Sequence, residues 1–373
     1  MATACPRNGS NTRWRFSVGR RIFVRGTGQE DNIGDVVLRR AMFDRLRQAG
    51  ELHVFLADAS DDFIEALRLD GTETIYRDMR GWKKAAFASA LRGSTWFVDK
   101  PGEVLLTDDI YKGQRSLVPL LLAVRARGGR VLRLGVGQRS PNPRLTPKFR
   151  RLYRLANAVL WRDSESAHSF GIGAVMPDWG FEPETQDPAT QKRDLLILSY
   201  RGDRPALGDR AVAALEAFAA ARGLQIVAVT QVGRDEERTS ELGARFNAST
   251  LGWDAGVSHA DQEARLRALF RRAAVVASDR LHVLIVGATE GAIPVNLVEE
   301  PDVKVVRHFD VIGYHSFSIV VNDTDVPELV DRLNSQAGRG EELHAAIAQA
   351  RREIERLTAG ALSLDGLRAP RVG

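Results

Sequence analysis

Residues 273–297 read AAVVASDRLHVLIVGATEGAIPVNL, a pattern that recurs along the chain. Two short runs rich in β-branched residues, AAVVAS and IPVNL, flank an apolar segment with the length of a helix. A strand, a helix and a second strand in this order are typical of parallel sheets, because parallel neighbours need a long crossover. The stretch therefore predicts one unit of an α/β fold.

The same alternation continues on both sides of this unit. From residue 20 onward, strand-like runs such as RRIFVRG, STWFVD and RVLRLGVG alternate with helical patterns, and a second series starts at LLILSY. The segment MPDWGFEPETQDPATQKRD between the two series has no periodicity and is rich in Pro, Asp, Thr and Gln. We therefore predict two α/β halves with parallel sheets, joined by a linker and facing a cleft.

The predicted divisions follow from these boundaries. They are a flexible N-terminal tail (1–19), a first domain (20–181), a linker (182–193), a second domain (194–335), and a C-terminal helix with a tail (336–373).

Composition limits the class of protein. A chain of 373 residues has room for two cores. Its 53 basic and 48 acidic residues give a net charge of +5, which suits an anionic small molecule or surface and is weak evidence for nucleic acid. The single cysteine, Cys5, and the absence of a long apolar run predict a soluble or peripheral protein in a reducing compartment such as the cytoplasm.

The glycine-rich stretch GTGQEDNIGD, residues 26–35, follows the first predicted strand. Glycines allow backbone amides to approach a ligand, and the helix that begins near Asp35 favours negative charge at its N-terminus. Its spacing matches neither the dinucleotide fingerprint nor the Walker loop. A tight turn with Asp35 as the helix cap is an equally good interpretation.

The sequence DRLH at residues 279–282 suggests an anion site with a proton donor. Residues two apart lie on the same side of an extended segment, so Arg280 and His282 would face the cleft together while Leu281 points to the core. Arginine binds carboxylate or phosphate through a planar fork, and histidine exchanges protons near neutral pH. The alternative is a buried helix with a polar cap.

Two further arginines follow predicted strands. Arg201 lies after LLILSY and would either join Arg280 in binding an anion or pair with Asp203 at the surface. Arg162 lies in WRDSES, where Asp163 or Ser164 can cap the next helix while Arg162 reaches the cleft. No zinc-hydrolase or serine-hydrolase motif is present, and we predict no metal.

Several motifs in order resemble the polysaccharide pyruvyl transferase family: NIGD, LGVGQ, WRDSES, MPDWGF, SDRLH and GAIPVNL, from about residue 20 to about residue 334. The resemblance implies two Rossmann-like domains around a cleft, as in GT-B glycosyltransferases, with the acceptor on the first domain and the donor on the second. It implies transfer of the pyruvyl group of phosphoenolpyruvate to sugar hydroxyls as a ketal, in cell-surface or exopolysaccharide biosynthesis. Phosphoenolpyruvate would be a co-substrate, with no cofactor or metal.

The resemblance also implies roles for individual residues. Arg280 and Arg201 correspond to arginines that bind phosphoenolpyruvate, His282 to the proton donor, and Lys304 to a lysine after the IPV strand. The acceptor or loop candidates are Asn32, Gly34, Asp35 and Arg162. The chain has DKPGEVLLTDD at residues 99–109, where many relatives have a glycine-rich run, so its acceptor side is altered.

Two other functions fit the same fold. One is a GT-B-like glycosyltransferase that uses a nucleotide sugar, and the other is a carbohydrate-binding relative without activity. For the transferase, the expected partners are phosphoenolpyruvate and a carbohydrate acceptor, free or lipid-linked, and no nucleic acid. Contact with the inner face of a membrane and assembly into a homo-oligomer are left open.

Overall fold

The computed structural model describes residues 19–183, 192–322 and 324–363. Within these ranges the chain forms two parallel sheets, the first with eight strands and the second with six, and helices connect most of the strands. The predicted α/β fold class is confirmed. Most of the predicted linker lies outside the described residues, as do residues 1–18 and 364–373 of the predicted tails.

The first domain contains β1 (Arg21–Arg25), α1 (Ile33–Arg47), β2 (Glu51–Phe55), α2 (Asp61–Ala66), β3 (Thr74–Tyr76), α3 (Met79–Arg92), β4 (Thr95–Asp99), β5 (Gly102–Val104), α4 (Asp108–Arg115), α5 (Val118–Ala126), β6 (Arg130–Gln138), α6 (Thr146–Tyr153), β7 (Ala158–Trp161), α7 (Ser164–Phe170) and β8 (Ala174–Val175). A short 3-10 turn at Trp179–Phe181 ends it.

The second domain contains β9 (Leu195–Ser199), α8 (Asp209–Arg222), β10 (Gln225–Val229), α9 (Glu236–Arg245), β11 (Ser249–Leu251), α10 (His259–Arg272), β12 (Ala273–Ser278), α11 (Leu281–Thr289), β13 (Ile293–Val298), α12 (Val303–Asp310), β14 (Ser318–Val320) and α13 (Val326–Ala337). The last helix, α14 (Gly340–Leu362), follows it.

Both sheets have the strand order of a Rossmann fold. The first runs β3-β2-β1-β4-β6-β7-β8, with β5 also paired to β6, and the second runs β11-β10-β9-β12-β13-β14. In each sheet the order reverses next to the first strand, between β1 and β4 or between β9 and β12. Ligands of open α/β folds bind beyond the carboxyl ends of the strands at such a reversal.

The central strands form because their sequences are almost continuously apolar. Every residue of β4, β9 and β13 is buried, as expected for parallel strands covered on both faces. One apolar cluster includes residues of both domains, and the ring of Phe181 contacts that of Phe309 at a centroid distance of 5.4 Å. The domains are therefore packed together through apolar as well as polar contacts.

Two predicted helix boundaries differ from the structure. The pattern at residues 115–127 predicts one helix, and α5 forms within it but begins later, at Val118, with Pro119 in its first turn, where the missing N–H costs no intrahelical bond; α4 ends at Arg115. The cap of α1 is Asn32, whose side chain accepts from the Gly34 N–H at 3.0 Å. Asp35 lies within the first turn of α1, so the interpretation of Asp35 as the helix cap was wrong.

The C-terminal helix α14 packs against the first domain although it follows the second in sequence. Arg130 Nη1 donates to the carbonyl of Ala361 at 2.8 Å, and Arg351 Nε donates to the carbonyl of Phe181 at 3.3 Å. The chain thus crosses between the domains twice.

Candidate functional site

A cavity of about 390 Å³ lies between the domains, beyond the carboxyl ends of both sheets. Its walls include Lys100 after β4, Arg201 after β9 and Arg280 after β12, next to the two points of strand-order reversal. The predicted site residues that line it are Asn32, Asp35, Arg162, Arg201, Arg280, His282 and Lys304. The remaining one, Gly34, packs against His282.

The turn from β12 to α11 presents Arg280 and His282 to this cavity. Arg280 has an extended backbone with φ −95° and ψ 114°, and α11 begins at the next residue. Leu281 is buried and belongs to the apolar core. No side chain caps α11, so its first N–H groups are available to an anion.

Asp235 fixes the guanidinium of Arg280. Nε and Nη2 of Arg280 donate to the two carboxylate oxygens at 2.7 and 2.6 Å, and Asp235 also accepts from the Gly202 N–H at 2.9 Å. In the described part of the chain, Nη1 of Arg280 has no hydrogen-bond partner. The fork is therefore held in a defined orientation with donors left for a ligand.

Arg201 pairs with Asp203, as one of the two sequence interpretations predicted. Its Nε and Nη2 donate to Asp203 at 2.8 and 2.6 Å, and the Asp203 side chain is 59% exposed. Arg201 nevertheless lines the cavity. Because exposed ion pairs contribute little free energy, an anionic ligand can replace Asp203 at a low cost.

First-domain motifs surround His282. A β-carbon added at Gly34 would lie 2.6 Å from Cβ and Cγ of His282, and one added at Gly180 would lie 3.8 Å from its Cδ2. Asp178 Oδ1 lies 3.7 Å from Nε2 of His282. The segments NIGD and MPDWGF of the first domain and SDRLH of the second therefore meet at one imidazole.

Asp178 is a buried, ionised carboxylate at this meeting point. It accepts from the Gly180 N–H at 2.9 Å and from Arg162 Nη1 at 3.1 Å. Burial alone would raise the pKa of Asp178, but the nearby imidazole of His282 and the charge of Arg162 hold it well below its usual range. Arg162 is thus a buried part of the cavity wall and neutralises Asp178.

The segment at residues 99–109 contributes Glu103 to the cavity. Oε1 of Glu103 lies 3.0 Å from Lys304 Nζ and 3.5 Å from Arg162 Nη2, and its Oε2 accepts from Arg139 Nε at 2.7 Å. Burial opposes ionisation, yet the charges of Arg162 and Lys304 hold the pKa of Glu103 well below its usual range. Glu103 therefore links cations of both domains.

Two more titratable groups of the cavity have shifted pKa values. Burial raises the pKa of Asp279 to about 6, although its Oδ1 accepts from the Arg201 N–H at 2.9 Å. Burial and the charges of Arg39 and Arg25 lower the pKa of Lys100. Perturbed carboxyl and ammonium groups in a cleft are common at functional sites.

Sequence reasoning assigned no role to several cavity residues. Lys100 directly follows the strand-like run STWFVD, so the rule that ligands bind after strand ends could have identified it. Asp178 lies in a quoted family motif but was given no function. Glu103 and Arg139 carried no signal, because only the folded chain brings them to Lys304.

Beside the cavity, residues 31–32 of the first domain contact residues 232–234 of the second domain directly. The Gly233 N–H donates to the carbonyl of Asp31 at 2.7 Å, and Arg234 Nε donates to Asp31 Oδ2 at 2.8 Å. Asn32 forms an antiparallel bridge with Val232. Asn32 thus has a structural function at the domain contact besides capping α1.

Among residues 19–183, 192–322 and 324–363, no group of three or more His, Cys, Asp and Glu side chains could hold a metal ion. No helix in these ranges is both long and apolar enough to cross a bilayer.

The family model described as "Polysaccharide pyruvyl transferase" matches residues 32–292. No curated protein sequence matches the chain. Among solved structures, UDP-GlcNAc 2-epimerase from Neisseria meningitidis bound to UDP-GlcNAc has a TM-score of 0.52 at 10% identity, covering 90% of this chain and 99% of that one. Anabaena Alr3699/HepE in complex with UDP has a TM-score of 0.51 at 12% identity, covering 91% and 95%.

At these identities the two structures establish a shared fold. The prediction of two Rossmann-like domains facing a cleft, as in GT-B enzymes, is confirmed.

Proposed function

This chain belongs to the polysaccharide pyruvyl transferase family, and we propose that it moves the pyruvyl group of phosphoenolpyruvate onto sugar hydroxyls as a ketal, in the synthesis of a cell-surface or exported polysaccharide. The observation that carries this proposal is that Arg280, Arg201 and His282 line one cavity beside the uncapped N-terminus of α11. That arrangement suits a small molecule with two anionic groups whose carbon must receive a proton.

The donor binds on the second domain. The oriented fork of Arg280 takes one anionic group, and the first N–H groups of α11 lie beside it. Arg201 releases its ion pair with Asp203 and binds the second anionic group of the donor instead. Lys304, held by Glu103 at 3.0 Å, adds positive charge on the same side of the cavity.

His282 protonates the methylene carbon of phosphoenolpyruvate, which makes C2 electrophilic. A first sugar hydroxyl attacks C2, the C2–O bond to phosphate breaks, and a second hydroxyl closes the ketal. Of the two hydroxyl protons, one replaces the proton that His282 gave to the new methyl group, and the other leaves on the released phosphate. The arginines stabilise the phosphate as it departs.

The acceptor binds on the first domain. Asn32 and Asp35 line the cavity on the side of α1, and Arg162, which follows β7, and Glu103, in β5, also line it. Hydroxyl groups are recognised by such carboxylate, amide and guanidinium groups. We propose no cofactor and no metal for this reaction, and a cytoplasmic location for the enzyme.

The test is incubation of the protein with phosphoenolpyruvate and a panel of glycosides. We expect released inorganic phosphate together with a sugar product that has gained a pyruvyl ketal by mass and NMR. A parallel incubation with nucleotide sugars distinguishes a glycosyltransferase, which would release a nucleotide instead. Binding of UDP but not of phosphoenolpyruvate in calorimetry would contradict the proposal.

A further inference from the structure

Helices α3 and α5 leave several large apolar side chains exposed on the first domain. Phe87 is 41% exposed, Leu91 is 52% exposed and Leu122 is 51% exposed. Phe87 and Leu91 line a shallow hollow of about 430 Å³ with Pro119, and Leu122 follows Pro119 by one turn on the outer side of α5. We refer to these residues with the exposed Lys84 and Arg92 as the α3–α5 face.

The charges of this part of the chain have one sign. Residues 79–98 contain four Lys and Arg and no Asp or Glu, and residues 110–162 contain 13 Lys and Arg and no Asp or Glu. The near balance of charge over the whole chain conceals this asymmetry. The exposed apolar side chains of α3 and α5 therefore lie among basic residues.

Two acids at the start of α4, which border this region, are paired with basic side chains. Asp108 and Asp109 begin α4; Arg144 donates to Asp108 at 3.1 Å, and Lys112 donates to Asp109 at 3.3 Å. Lys83 Nζ donates to Ser116 Oγ at 2.9 Å and joins α3 to the start of α5. The face is thus a firm surface on two packed helices.

A groove connects the α3–α5 face with the catalytic cavity. This groove of about 350 Å³ has Lys83 and Ser116 in common with the hollow between α3 and α5, and Lys100, Glu103 and Leu105 in common with the cavity. Leu105 is 44% exposed and Ile110, also in the groove, is 42% exposed. Apolar side chains therefore continue from the face toward the site.

An anionic bilayer fits this surface better than other partners. A second copy of the chain would place like charges opposite each other across a twofold contact, which is unfavourable. A nucleic acid or an acidic protein would match the charge but leave Phe87, Leu91 and Leu122 without an apolar environment. A bilayer with anionic headgroups supplies both, because basic side chains meet the headgroups while apolar ones enter the acyl boundary.

We propose that the α3–α5 face docks the protein on an anionic phospholipid membrane, with the groove leading from the bilayer surface to the cavity. This inference goes beyond the proposed reaction and does not depend on it. Docking through a basic and apolar patch requires no spanning helix. Docking through this face turns the first domain toward the membrane. The groove then leads from the membrane to the first-domain side of the cavity.

Vesicle binding tests the proposal without donor or acceptor, so a failure of the proposed reaction leaves the result unaffected. Purified protein is sedimented with vesicles of phosphatidylglycerol and phosphatidylcholine, and with phosphatidylcholine alone. We expect binding only to the anionic vesicles, weakened by salt. Lys84→Glu with Arg92→Glu should weaken it at least about 25-fold, since each basic residue near such a surface is worth about fivefold.

Phe87→Ser with Leu91→Ser should weaken binding at least about tenfold through the loss of apolar contact. Matched controls change exposed residues of the second domain. Arg265→Glu with Arg332→Glu is the control for charge. Val303→Ser is the control for apolar surface, because the Val303 side chain is 65% exposed. Both controls should bind as the wild type does.

A site-specific probe locates the docked surface. The only cysteine, Cys5, is removed by Cys5→Ser, and an environment-sensitive fluorophore is attached at Leu91→Cys or at Val303→Cys. We expect a blue shift on vesicle addition at position 91 and none at 303. No vesicle binding, equal binding by all variants, or equal shifts at both positions would overturn the proposal. Self-association that Leu91→Ser abolishes would also overturn it and assign the face to a second copy.

Discussion

Gly34→Ala should displace His282 without changing any group proposed to react. The added β-carbon would lie 2.6 Å from both Cβ and Cγ of His282, whereas ordinary contacts are 3.4 Å or longer. Because the β-carbon of His282 is itself in the way, rotation of the ring cannot relieve the overlap. The side chain must therefore retreat by about 1 Å, a displacement that can cost about 100-fold in rate at a catalytic group.

The variant should still fold. Overpacking costs about 1 to 3 kcal/mol in unfolding free energy, and replacing glycine by alanine in a helix returns up to about 1 kcal/mol. Gly340→Ala is the matched control, because Gly340 also lies in the first turn of a helix and an added β-carbon there has no neighbour closer than 4.0 Å.

The assay is phosphate release from phosphoenolpyruvate with the acceptor identified in the glycoside panel. We expect kcat to fall about 100-fold in Gly34→Ala, with donor affinity and the denaturation midpoint much less affected, and no loss in Gly340→Ala. The NMR signals of the His282 ring should also shift in Gly34→Ala alone. Wild-type turnover by Gly34→Ala, or an equal loss in both variants, would refute the reasoning.

Three further outcomes are expected. His282→Gln keeps size and hydrogen bonding but cannot donate a proton to carbon, so turnover should fall about 100- to 10,000-fold with phosphoenolpyruvate still bound in calorimetry; near-normal turnover would remove His282 from the mechanism. Arg280→Lys loses the fork that Asp235 orients, so affinity for phosphoenolpyruvate should fall about 10- to 100-fold, and unchanged affinity would contradict its role. Asp279→Asn should stabilise the protein at pH 7.5 relative to wild type by about 1 to 3 kcal/mol and much less at pH 4. The sign follows because the pKa of Asp279, raised to about 6 in the folded protein, makes its ionisation unfavourable there, so wild-type stability falls as pH rises from about 4 through 6. Chemical denaturation at both pH values measures the unfolding free energies, and an equal difference between the two proteins at pH 4 and pH 7.5 would rule this out.

The sequence was sufficient for the fold class because parallel strands buried on both faces need continuous apolar runs. AAVVAS, LLILSY and STWFVD are such runs, and each forms a central strand. It was not sufficient for short elements such as β5 (Gly102–Val104), whose three residues have no periodicity to detect. The longer helical pattern at residues 115–127, by contrast, corresponds to α5 (Val118–Ala126).

For the site, the sequence by itself determined which residues follow the strand ends, and it left two interpretations open for Arg201 and for DRLH; the structure shows Arg201, Arg280 and His282 at one cavity. The motif NIGD was recognised from the sequence. The reason for its glycine was not, because the residue that leaves no space for a β-carbon at Gly34 is His282, 248 residues later. The pairing of Arg280 with Asp235 and of Lys304 with Glu103 was likewise decided only by the tertiary structure. Periodicity and caps depend on neighbours within a few residues, whereas these contacts join segments far apart in sequence, and only the packing of the two domains brings them within reach.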